Sequence, residues 1–192
     1  LNRNWEIWLL CFVLALQGFS GNLFLLASRK ATPYSLLNDS IAFLAYLRQY
    51  IAPAMLPIVV GAAFVCLFLP LTPLRRRFLI DTVFVLVIIR LLLLFGILNI
   101  MIFLPPSDRV LLFAQLLLFL PCLLLVWGWI YWRFDTRSVS LGRGRIFTSS
   151  TSEDDIPPPY DYFIASFTSL LTTTLDNFNG KTRFARTLIL LH

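Results

Sequence analysis

Apolar residues run through this chain in long blocks, not in alternating or one-sided patterns. Trp5–Ala27, Ile51–Leu71, Phe78–Leu104 and Val110–Tyr131 carry few charges. Each is about as long as the 20 or so apolar residues that a helix needs to cross a bilayer. Helices apolar on all sides are predicted for all four, because lipid accepts apolar side chains outside as well as inside. Ser28, Arg29 and Lys30 close the first block. Arg75, Arg76 and Arg77 form a basic turn before the third, and Pro105, Pro106, Ser107, Asp108 and Arg109 part the third from the fourth. Gln17, Gly18, Ser20, Gly21 and Asn22 interrupt the first block, and small or weakly polar residues in a spanning helix mark close helix packing. Pro53, Pro57 and Pro70 predict a kinked second span. Between these two blocks, Leu36, Leu37, Ile41, Leu44 and Leu47 recur at helical spacing. Residues 33–50 therefore read as an interfacial helix or as an extension of the second span.

The pattern changes after the aromatic cluster Trp127, Trp129, Tyr131 and Trp132, which sits where an aromatic belt is expected. Residues 133–159 are polar: Arg137, Arg143 and Arg145, then Ser and Thr, the acidic run Glu153, Asp154 and Asp155, and three prolines at 157–159. This reads as a surface loop closing in an extended form. Residues 160–192 give a moderately apolar segment, a polar turn from Asp176 to Arg183, and a last apolar run from Phe184 to His192. That last run is too short to span, so it reads as the start of a further helix. The expected fold class is an all-α integral membrane protein. Four transmembrane helices (about 5–27, 51–71, 78–104 and 110–131) precede a polar loop, a C-terminal re-entrant or interfacial hairpin and the start of a fifth helix.

Composition agrees. Hydrophobic residues make up 58% of the chain and charged residues 14%, against about 25% charged in an ordinary soluble domain. Mean hydropathy is +0.80. The net charge of +6 sits in short segments between apolar blocks, so it reads as a topology signal that meets anionic headgroups, not as a nucleic-acid surface. On alternate sides the basic residues are Arg3, Arg75, Arg76, Arg77, Arg133, Arg137, Arg143 and Arg145 against Arg29, Lys30, Arg48 and Arg109. The richer side is expected to be cytoplasmic and to hold the N-terminus and the long loop. The expected location is a bacterial cytoplasmic membrane, with a thylakoid as the other setting. Arg3 and the run after Ile7 resemble the start of a signal peptide. No small-x-small cleavage site follows, so a retained helix is expected. The chain begins with Leu, which reads as an incomplete or a processed start, and the last apolar run reads either as continuing in a longer chain or as ending against a partner.

Few residues offer chemistry. Cys11, Cys66 and Cys122 lie far apart within apolar blocks, and His192 is the one histidine. Neither a disulfide framework nor a metal or cofactor site is expected from them. A hydrolase triad needs an internal histidine, and no phosphate loop or metalloprotease helix appears, so the chain reads as a non-enzyme. The run Glu153–Asp155 reads as a solvated loop before it reads as a cation site. Arg90 stands near the middle of the third block, where a charge is expensive. It reads either as part of an ion or substrate path or as packed against helix-end carbonyls or another subunit.

The segment Asp161–Arg186 is the most informative. An aromatic helix (Tyr162, Phe163, Ser166, Phe167, Ser169, Leu170), a threonine-rich turn at Thr172 and a return helix beginning near Ala185 and Arg186 together resemble the pore segment of the potassium-channel superfamily in its two-helix bacterial form. The resemblance covers about 30 residues at the C-terminus. It implies an oligomeric pore with Thr172, Thr173, Thr174, Asp176 and Asn177 facing the axis. Thr173, Thr174, Leu175 and Asp176 stand where that family's filter has Val, Gly, Tyr and Gly, so the filter is degenerate. The other reading of the whole chain is a non-catalytic accessory subunit of a larger respiratory or photosynthetic membrane complex. Either way, its partners are the lipid bilayer and other membrane subunits.

Overall fold

A computed structural model describes residues 5–28, 43, 46, 49–50, 52–69, 72–103, 109–148, 158–171 and 178–192. The expected interfacial helix at 33–50 lies almost wholly outside the described residues. Six helices and one short strand pair make up the described elements: α1 (Trp5–Ser28), α2 (Ala52–Phe68), α3 (Pro73–Phe103), α4 (Arg109–Ser140), β1 (Phe147–Thr148), α5 (Pro159–Leu171), β2 (Asn179–Gly180) and α6 (Arg183–Leu190).

Three helices are long and apolar enough to cross a membrane, over Trp5–Leu23, Pro73–Gly96 and Leu112–Ser140. The second expected span, 51–71, holds a helix of 17 residues, Ala52–Phe68. Pro57 lies inside that helix. The last long helix continues past Tyr131 to Ser140. Its end is set by two glycines at positive φ, Gly142 (70°) and Gly144 (73°), where the amides of Gly142 and Arg143 turn back to the Val139 and Ser138 carbonyls. Glycine enters this left-handed conformation without a Cβ penalty.

The chain divides into two compact units, Leu1–Cys122 and Leu123–His192. In the first, α1 packs on α3. Ile7, Leu10 and Val13 are buried from α1, and Ile80, Val83, Phe84, Val87, Leu91, Leu94 and Leu98 from α3. The α3 positions recur at three- and four-residue steps, which put them on one helix face. The opposite faces are no more polar: Trp8, Phe12, Phe19, Phe78, Leu92 and Phe95 are exposed. Water penalises such an exterior and hydrocarbon does not. Some polar residues lie inside, with Gln17, Ser20 and Gln115 all buried. In the second unit the end of α4, the β1–β2 pair, α5 and α6 surround an aromatic core of Tyr131, Phe147, Tyr162 and Phe178. The register is antiparallel, Phe147 with Gly180 and Thr148 with Asn179.

Candidate functional site

Among the described residues, the second unit holds a dense polar and aromatic cluster. Asp135, on α4 and with no exposed surface, gathers four donors. The Ile146 amide donates at 2.7 Å, the Phe147 amide at 3.3 Å, the Tyr162 hydroxyl at 2.5 Å and the Arg145 Nε at 3.3 Å. Arg145 is itself almost fully buried, so the ion pair is screened little by solvent. Burial first, then the hydrogen bond and charge of Asp135, push the Tyr162 phenol well above its ordinary range. It stays protonated and remains a donor.

These contacts set the course of α5. Asp161 stands in its first turn, where a carboxylate suits the positive end of the helix dipole. Tyr162, Ala165 and Ser166 form the buried face, while Tyr160, Ile164 and Phe167 are exposed. Tyr162 meets Asp135, Phe163 lies against Gly128, and the Ser166 hydroxyl donates to the Leu124 carbonyl at 2.9 Å. As numbers rise on α5 they fall on α4, so the two helices run antiparallel. A Cβ at Gly128 would lie 2.3 Å from the Phe163 ring and 3.0 Å from its Cα. Only glycine permits this approach.

The return limb is held by the strand pair and by the Lys181 amide, which donates to the Ile146 carbonyl at 2.8 Å. Thr182 caps α6 by accepting from the Ala185 amide at 3.1 Å. Gly180 packs so closely that a Cβ would meet the Arg186 amide nitrogen at 2.7 Å. Phe178 stacks on Phe147 with centroids 4.9 Å apart. After α6, the His192 Nδ1 lies 2.5 Å from the Ser169 hydroxyl and 3.0 Å from the Tyr131 hydroxyl. Its ring also stands 5.0 Å from Trp127. Among the described residues no carboxylate hydrogen-bonds this histidine, and no three metal-ligating side chains gather. The arrangement is a clamp that fixes two helices against a third.

The expected pore residues Thr172, Thr173, Thr174, Asp176 and Asn177 lie outside the described residues, as do Glu153, Asp154 and Asp155. The residues flanking the turn, Leu171 and Phe178, are described, and Phe178 belongs to the aromatic core. Arg90 lies elsewhere, on α3 in the first unit, with its Nη1 buried and without a hydrogen-bond partner among the described residues. Asp135 and Gly128 hold the clamp together but were not singled out by pattern, and Tyr131 was read only as part of an aromatic belt. A signal was present in the sequence: Tyr131 and Asp135 are one helical turn apart. Gly128 sits between Trp127 and Trp129, a small residue among large ones. Comparison with known protein families, with curated proteins and with solved structures finds no match.

Proposed function

We propose that this chain is a subunit of an oligomeric, channel-like membrane protein in which α5, residues 172–177 and α6 form the pore hairpin. One observation carries the reading: α5 doubles back antiparallel along α4, from the level of Asp135 to that of Leu124, beside a stretch apolar enough to cross a membrane. A short helix returning along a longer one brings its C-terminal end, the negative end of its dipole, toward bilayer depth. That end favours cations, and the turn after it holds three threonines, Asp176 and Asn177. Non-helical backbone at such depth is tolerated where protein shields it or it lines water.

In this reading the expected second span at 51–71 completes the four-span bundle, and α6 begins a fifth helix that lines the pore. The basic-residue tally supports a cytoplasmic N-terminus in a bacterial inner membrane. Without the two filter glycines, backbone carbonyls do not form the ring that separates potassium from sodium, so both ions pass.

The test is cation flux in liposomes carrying the purified chain, with its oligomeric state read by native mass spectrometry. A symmetric homo-oligomer that conducts potassium and sodium alike, with flux reduced by Asp176→Ala, is the expected result. A single copy held among unrelated chains and showing no flux would end the reading in favour of an accessory subunit.

A further inference from the structure

The interior of the first unit contains polar groups that the pore hairpin does not use. Gln17 and Gln115 are fully buried and Ser20 nearly so. The Gln17 amide nitrogen donates to the Val87 carbonyl at 3.2 Å. Its Oε1, the Ser20 hydroxyl and both amide atoms of Gln115 have no hydrogen-bond partner among the described residues.

Helix register puts them at one level. Ile7 and Leu10 share a crevice with Leu79, Ile80 and Val83, and Gln17 reaches Val87 further along both helices, so α1 and α3 run in the same direction. Only residues 104–108 separate α3 from α4, a connection short enough to make those two helices antiparallel. α1 and α4 are therefore antiparallel as well, and they meet where the Cys122 thiol lies 4.0 Å from the Val13 carbonyl. Gln17 and Ser20 stand one and two turns beyond Val13 on the same face of α1, and Gln115 stands two turns before Cys122 on the same face of α4. At 1.5 Å of rise per residue, Ser20 and Gln115 each lie about 10 Å beyond that contact, on the same side.

A neutral amide and a hydroxyl left unpaired in an apolar interior are costly, and buried polar groups as a rule have partners or ordered water. Here the groups supply donors and acceptors together with no carboxylate among them, which suits water. Arg90, a cation on α3, disfavours a second cation nearby. We infer that Gln17, Ser20 and Gln115 form a hydrated polar site inside the Leu1–Cys122 unit, which holds bridging water and is separate from the α5–α6 hairpin.

Thiol accessibility tests this in the full chain, reconstituted in liposomes, with Cys11→Ser, Cys66→Ala and Cys122→Ala removing the native thiols. Ser20→Cys is treated with methyl methanethiosulfonate, a small neutral reagent that the Arg90 charge does not repel, and Leu94→Cys, buried on α3, serves as the dry reference. Ser20→Cys reacts and Leu94→Cys does not. Adding Gln115→Leu slows the Ser20→Cys reaction by about tenfold, the factor that one hydrogen bond's stabilisation supplies. Reaction at Ser20→Cys no faster than at Leu94→Cys overturns the inference. So does a higher melting temperature in Gln115→Leu alone, because an apolar replacement relieves an amide that is dry and unpaired. Ion flux is not a readout here, so this inference and the pore reading fail separately.

Discussion

The two units treat buried polarity in opposite ways. Around Asp135 the second unit behaves like the interior of a water-soluble protein: a fully buried carboxylate takes four donors, and aromatic rings close over it. In the first unit, Phe and Trp side chains face outward while two glutamines and a serine face inward with atoms that have no side-chain or backbone partner among the described residues. Where the surroundings are hydrocarbon, burial gains little from sorting apolar from polar, and side chains settle by shape and by the few hydrogen bonds within reach. A buried charge such as Asp135 has to be matched by donors whatever surrounds the unit. The first unit is thus held mainly by packing and the second by a network.

That contrast breaks most sharply at its centre. Asp135→Ala leaves Arg145 and the Tyr162 hydroxyl buried without their acceptor and is expected to cost about 3–5 kcal/mol, read as loss of the thermal transition of the second unit in detergent. Gly128→Val forces a side chain into Phe163 and is expected to cost about 3 kcal/mol, the upper end of overpacking penalties. Disulfide crosslinking between cysteines placed at 124 and 166 would report the lost approach of α5 to α4. Tyr162→Phe keeps the ring in place and removes one donor from the carboxylate. It is expected to cost about 2 kcal/mol, visible as a lower midpoint in chemical denaturation. Thr182→Ala removes only the α6 cap, for about 1 kcal/mol, measured as faster amide exchange over Arg183–Arg186. A set of equally small effects from all four would mean that the second unit is also held by packing, and the contrast would disappear.

Much of the long-helix architecture was legible, because block length and the near absence of charge suffice to mark Trp5–Leu23, Pro73–Gly96 and Leu112–Ser140. The end of α4 was not. Arg133, Asp135 and Arg137 read as loop residues by composition, yet the helix absorbs them because Asp135 finds its partners in Arg145, the Ile146 and Phe147 amides and Tyr162. Those partners are up to 27 residues away, beyond any local pattern. The block at 51–71 holds a helix, Ala52–Phe68, with Pro57 inside it. For the candidate site, the sequence marked apolar segments where the helices Pro159–Leu171 and Arg183–Leu190 lie. The clamp that orients them was not legible, since it depends on Gly128 and Asp135 meeting residues that follow much later in the chain.

The missing side chain at Gly128 also sets a gauge. If several copies close into a ring with α4 outermost, the separation of α4 from α5 decides how near each hairpin stands to the central axis. One added methyl group would be repeated in every copy around the circle. The calibre of the opening would then change together on all sides, and a residue that never meets an ion would tune which ions fit.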